Sequence, residues 1–166
     1  MRSPLSVRRL EMSDLDAALA IQSEAYPAFL VEAADVFASR IALPEAYCLA
    51  ATRGDVLVAY LLAHKWKQQD PPTLGAVLTA QPDSDILFIH DLAASSAERG
   101  SGVGRELVAR AFEMAAHDGL DAAELIAVEG AGRYWRRLGF MEGRLPKELS
   151  SYGPDARWMT CPIPPA

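Results

Sequence analysis

Apolar and polar residues alternate over residues 5–10 (LSVRRL), the period-two signature of a half-buried strand. The period then changes. Leu15, Leu19 and Ile21 recur at helical spacing behind Ser13 or Asp14, either of which can cap a helix. Pro27 interrupts that helix, and a second is expected over residues 29–43, stopped by Pro44. Two short apolar runs, 47–52 (YCLAAT) and 56–63 (VLVAYLLA), flank Arg53-Gly54-Asp55 and predict an antiparallel hairpin. Residues 64–85 are rich in Pro, Gln and Asp and show no clear period. They predict a long surface excursion with a short helix over 74–79, and loops of this length are often functional.

The second half is more regular. Residues 86–93 (ILFIHDLA) predict a strand, 95–102 a Gly-rich turn, and 103–117 a helix with Val103, Leu107, Val108, Ala111, Phe112 and Ala115 on one face. Gly119 suits the helix C-cap. A strand over 122–128, a helix over 130–138 ended by Gly139, and two strands near 140–144 and 157–161 complete the chain. The order β-α-α-β-β-β-α-β-α-β-β implies a mixed sheet with helices on both faces.

Composition narrows the function classes. A chain of 166 residues fits one domain, 1–166. No apolar run approaches the roughly 20 residues that span a bilayer, so no membrane partner is expected. The first 14 residues lack an apolar core and a small-residue cleavage site, and a cytoplasmic location is expected. Cys48 and Cys161 lie far apart, without a CxxC pair or metal-ligand spacing, and no metal is expected. The net charge of −6 argues against nucleic acid and modestly favours cationic small molecules.

Candidate chemistry concentrates in Arg99-Gly100-Ser101-Gly102-Val103-Gly104, between a strand and a helix. Glycines let the backbone approach a ligand closely, and the first helical turn offers unpaired N–H groups and a positive dipole end. That combination suits a phosphate or pyrophosphate, with Arg99 and Arg105 adding charge at its rim. A Walker A loop is absent. The dinucleotide fingerprint G-x-G-x-x-G fails as well: from Gly100 its last position is Arg105, and from Gly102 it is Leu107. The pattern Arg-x-x-Gly-x-Gly, ending on Gly102 and Gly104, is met in full.

That pattern, after IHDLAA and before a long helix, resembles the coenzyme A loop of the GNAT acetyltransferases. The preceding hairpin, the following strand and Tyr134-Trp135-Arg136-Arg137-Leu138-Gly139-Phe140 stand where the superfamily has them, so the resemblance covers about residues 5–161. It implies an α/β (α+β) fold: a GNAT-like central mixed β-sheet with a splayed strand pair and helices on both faces. It also implies acetyl-CoA as cosubstrate, without a metal, and an N-acyltransferase in which a primary amine attacks the acetyl group directly. Main-chain amides of Arg99, Gly100, Ser101, Gly102, Val103 and Gly104 would bind the pyrophosphate, with Arg105 beside them. Leu92 and Ala94 match positions whose backbone pairs with the pantetheine arm.

The catalytic residues stay open at this level. His90-Asp91-Leu92-Ala93-Ala94 is similar to the arylalkylamine N-acetyltransferases, where a His on this strand helps deprotonate the amine; His90 is then a general base or a structural histidine. Asp91, its strand neighbour, is expected on the opposite face. Many relatives carry an acidic Tyr where this chain has Trp135, whose indole has no usable acidic proton. Tyr134 is the substitute, or both residues are packing or substrate wall. Tyr26-Pro27-Ala28-Phe29-Leu30-Val31-Glu32 also resembles the arylalkylamine group. Tyr26 and Phe29 are expected as an apolar wall and Glu32 as an attractor for an ammonium group, with His64 and Trp66 further out on the rim. The expected partner is a small-molecule amine, on a monomer or homodimer. The alternatives are a non-catalytic acyl-CoA sensor and a protein or peptide N-acetyltransferase.

Overall fold

The structure, a computed structural model, describes residues 1–145 and 147–166. Its elements follow the predicted order. Strands β1 (Leu5–Arg9), β2 (Leu49–Arg53), β3 (Val56–Lys65), β4 (Ile86–Ala94), β5 (Ala122–Ala127), β6 (Met141–Glu142) and β7 (Arg157–Pro162) form one seven-stranded sheet. Its strand order is β1-β2-β3-β4-β5-β7-β6. Every neighbouring pair is antiparallel except β4 and β5. The mixed sheet expected from the chain order is therefore found.

Helices α1 (Leu15–Ala25) and α2 (Ala34–Ile41) cover one face, while α3 (Val103–His117) packs on the other; α4 (Gly132–Arg137) follows β5. Each face has its own core. Leu107, Val108, Ala111 and Ala115 of α3 pack with Leu61, Leu87, Leu125 and Met159 from the sheet. On the opposite face Ala18, Ile21 and Phe37 pack against Tyr60, Leu62 and Ala93. The predicted stripe on α3 is the buried one, apart from Phe112, which is partly buried against the same core.

Two predicted helices differ. The second helix was expected from residue 29, yet α2 starts at Ala34, after a single 3-10 turn over Ala28–Leu30. Gln22 explains the delay. Its side-chain amide donates to Glu32 O (3.0 Å) and accepts from Glu32 N–H (2.7 Å), so the backbone at residue 32 is already bonded outside any helix. The short helix expected over 74–79 is absent, because tertiary partners take the backbone. Gly75 N–H donates to Glu32, Leu78 N–H donates to Ser39 Oγ, and Ala76 O accepts from Arg40.

Candidate active site

The parallel ladder joins Ile86–Ile89 to Ala122–Leu125 and stops there, although both strands continue. Beyond it β4 and β5 diverge, and a cleft of about 730 Å³ opens between them. Ser95 N–H donates to Val58 O of β3 (2.8 Å). In an antiparallel pair, alternate residues face the same neighbour. The main-chain groups of Leu92 and Ala94 therefore face the cleft, and Leu92 O accepts from Tyr26 OH at 3.0 Å. Both residues line it.

At one end of the cleft lies the Gly-rich turn. Gly100 and Gly102 have φ of 78° and 85°, a left-handed conformation that side chains resist. The first helical bond of α3 runs from Glu106 N–H to Gly102 O, so the amides of Val103, Gly104 and Arg105 have no carbonyl of their own helix. Ser101 is outside the cleft wall; its hydroxyl accepts weakly from Val103 N–H (3.4 Å). The other predicted residues, Arg99, Gly100, Gly102, Val103, Gly104 and Arg105, all line it. Arg137 of α4 joins them, a third arginine whose role the sequence did not mark. Glu98, buried beside the turn, would oppose an anion. It is paired with Arg53 of β2 and with Arg2 (3.5 Å), and the Arg53 guanidinium holds its carboxyl below the usual range. The turn thus gathers unpaired helix amides and arginines in a protein whose net charge is −6.

At the other end a β-bulge sets the side chains. The β3–β4 register slips between Leu62 and Ala63, so that His90 and Asp91 of β4 together oppose Leu62. Asp91 was expected on the face away from His90. The bulge resets the alternation and puts both on the α1/α2 face. There His90 Nε2 lies 2.6 Å from Glu32 Oε1, while Asp91 accepts from Tyr26 OH and Tyr60 OH, both at 2.7 Å. The His90 side chain is 0% exposed and that of Glu32 4%, and Nδ1 of His90 has no partner among the described residues. Burial opposes the charge on Glu32. The hydrogen bond from His90, the Gly75 N–H (2.7 Å to Oε2) and the nearby Arg40 outweigh it and hold the carboxyl below its ordinary range. Burial dominates at Asp91, whose carboxyl is raised despite its two phenol donors.

The remaining candidates divide. Tyr26 is in the wall, but Phe29 is not: it is 54% exposed and rests against Gly153, and Leu30 takes the wall position beside Leu74. Trp135 borders the cleft and is mainly core, edge-on to Phe140 at 5.3 Å. Tyr134 lines the cleft with its hydroxyl turned to the first turn of α3, where a Cβ at Gly104 would collide with it. His64 and Trp66 are not on the rim. His64 is fully buried, and burial pushes its imidazole down to about 3; Trp66 packs beside it and donates to Asp70 O. Sequence reading missed Tyr152 and Leu74, which close the acceptor end. No periodic pattern marks either one, since they arrive on loops.

Residues 66–85 form a strap across that end. On one side Gly75 and Ala76 are tied to Glu32 and Arg40. On the other, Tyr152 OH donates to Pro72 O (2.6 Å), Lys147 Nζ to Asp70 (2.6 Å), and Leu74 N–H to Ser151 Oγ (3.3 Å). The strap thus bridges α2 and the segment before β7. Among the described residues no cluster of His, Cys, Asp and Glu could hold a metal ion, and no helix is long and apolar enough to cross a membrane.

Residues 15–140 match the acetyltransferase (GNAT) family. No curated protein matches the chain significantly in sequence. Among solved structures it is similar to the ribosomal-protein-S18-alanine N-acetyltransferase of Escherichia coli, at 20% identity over 98% of this chain and 96% of that one (TM-score 0.70). The loading GNATL domain of CurA from Lyngbya majuscula aligns at 12% identity over 97% and 98% (TM-score 0.83). The PaiA N-acetyltransferase of Thermoplasma acidophilum, solved with coenzyme A, aligns at 10% over 96% and 99% (TM-score 0.67). At such identities the likeness establishes a common fold.

Proposed function

The chain belongs to the GNAT acetyltransferase family, and from that premise we propose that it moves an acetyl group from acetyl-CoA to the primary amine of a small molecule. The observation that carries this reading is the continuous cleft. It runs from the free amides of the Gly-rich turn, past the main chain of Leu92 and Ala94, to the buried His90–Glu32 pair.

Acetyl-CoA would supply the activated acetyl group. The amides of Val103, Gly104 and Arg105 would hold its pyrophosphate, with Arg99, Arg105 and Arg137 as counter-charges. Leu92 and Ala94 would orient the arm through main-chain hydrogen bonds. His90 is the group suited to take the amine's proton, since its ring borders the cleft and its Nδ1, unpartnered among the described residues, can accept a hydrogen. The Tyr134 hydroxyl lies at the phosphate end, so it positions the arm, and the departing thiolate draws its proton from water. The strap supports a small acceptor: it roofs the acceptor end, and the exposed wall there is apolar or aromatic (Tyr26, Leu30, Leu74, Tyr152).

Purified protein should release free CoA from acetyl-CoA when offered a panel of small primary amines, and should leave peptide N-termini and lysines largely unacetylated. Turnover of peptides alone would refute the acceptor class. Trp135, at the place of the family's acidic Tyr, favours a second reading, a protein that binds acyl-CoA without turning it over. That reading prevails if acetyl-CoA binds in a calorimetric titration and no amine releases CoA.

A further inference from the structure

The pair formed by Glu32 and His90 carries a more specific assignment, which rests on the proposed activity. We infer that Glu32 is a positioning residue for acyl transfer: it holds His90 in the tautomer protonated at Nε2, leaving Nδ1 as the nitrogen that receives the amine's proton.

Geometry and chemistry agree on the tautomer. A carboxylate only accepts, so the proton in the 2.6 Å contact belongs to Nε2. The other ring nitrogen is buried and has no partner among the described residues. A proton on Nδ1 of the resting ring would be a buried donor with nothing to bond, and such groups are rare in folded proteins. A lone pair there is an acceptor awaiting a hydrogen. Glu32 is itself held firmly: Gln22 brackets its backbone from both sides, and Gly75 N–H takes its second oxygen. The sequence hid this, because residues 22, 32, 75 and 90 meet only in the fold.

The proton inventory closes. As the amine nitrogen bonds to the acetyl carbon and the carbon–sulfur bond breaks, the N–H proton passes to Nδ1 and the electron pair leaves with sulfur. The imidazolium so formed is stabilised by the Glu32 charge at Nε2–H, then returns its proton to water. Because the ring is enclosed, the hydrogen reaches Nδ1 from the bound acceptor or from one water that enters with it. The other charged or titratable groups around the pair are His64 on β3, Asp91 on β4, Arg40 on α2, and the phenols of Tyr26, Tyr60 and Tyr152. His64, brought down to about 3, stays neutral at working pH, and the three phenols are raised by burial.

Two measurements test the assignment. Long-range ¹⁵N NMR of the free wild-type protein, which has three histidines, should show His90 protonated at Nε2. Protonation at Nδ1 overturns the inference without any variant. In steady-state kinetics, Glu32→Gln should lower kcat about 100-fold and move the acidic limb of the pH–rate profile to lower pH. The amine KM and the acetyl-CoA Kd should stay within about twofold, since removing a group that acts only in the transition state leaves ground-state binding alone. A raised amine KM with unchanged kcat would instead make Glu32 a mere anchor for an ammonium group, and an unmoved limb would make it structural. Absence of turnover with acetyl-CoA still bound would sink the acetyltransferase reading itself, while the NMR result would still decide the tautomer.

Discussion

His64 and His90 share the α1/α2 face and both side chains are buried, but only His90 has a carboxylate partner. His64 is sealed against Phe88 and Trp66, which makes its charged form unfavourable. The unfolded chain then binds a proton near pH 6.5 that the folded protein refuses until about 3. Stability is full above 6.5 and falls as pH drops through that window, by about 1.4 kcal/mol per pH unit from this group. Denaturant titrations between pH 7 and 4 should therefore show a slope that His64→Leu flattens, whatever that variant's absolute stability. Tyr134 offers a second check. With its hydroxyl at the phosphate end, Tyr134→Phe should change kcat by less than about threefold, where loss of a general acid costs about 100-fold or more. At this scale sequence reading singled out His90 from its strand context, but not its pairing with Glu32, which lies 58 residues away in the chain. It misplaced Asp91, whose direction depends on a slip against β3 that no local pattern encodes.

Among the elements, the turn into α3 was the most legible. Glycines at 100 and 102, an apolar stripe and a preceding strand each point to the same local geometry, and local geometry is what spacing reports. Gly102→Ala forces an alanine into a left-handed conformation at a cost of about 1 kcal/mol and re-aims the amides that follow. Calorimetry should show CoA binding weakened by about tenfold, since the shift acts on several amides at once. Thermal unfolding should drop by only a few degrees. The start of α2 was not legible, because Gln22 decides it from ten residues away. Nor was the strap, which is anchored by hydrogen bonds to Glu32, to Ser39 and Arg40 of α2, and to residues 147–152.

At the scale of the molecule, the sheet is two groups of strands joined over four residue pairs, with the strap closing the acceptor side of the gap. Its Tyr152–Pro72 bond lies at the opposite end of the cleft from the Gly-rich turn, so on the proposed function Tyr152→Phe should raise the KM for the amine severalfold and leave that for acetyl-CoA unchanged. An equal rise in both would mean that the strap supports the whole cleft. The order of elements and the mixed sheet could be read from the alternation along the chain; the place where the ladder ends could not, since it depends on how β5 leaves β4 in the fold. That ending makes β4 a central strand with the exposure of an edge strand. In deuterium uptake, the amides of Leu92 and Ala94 should therefore gain mass quickly while those of Leu87 and Ile89, earlier on the same strand, stay protected. Occupation of the cleft should slow the first pair to the pace of the second.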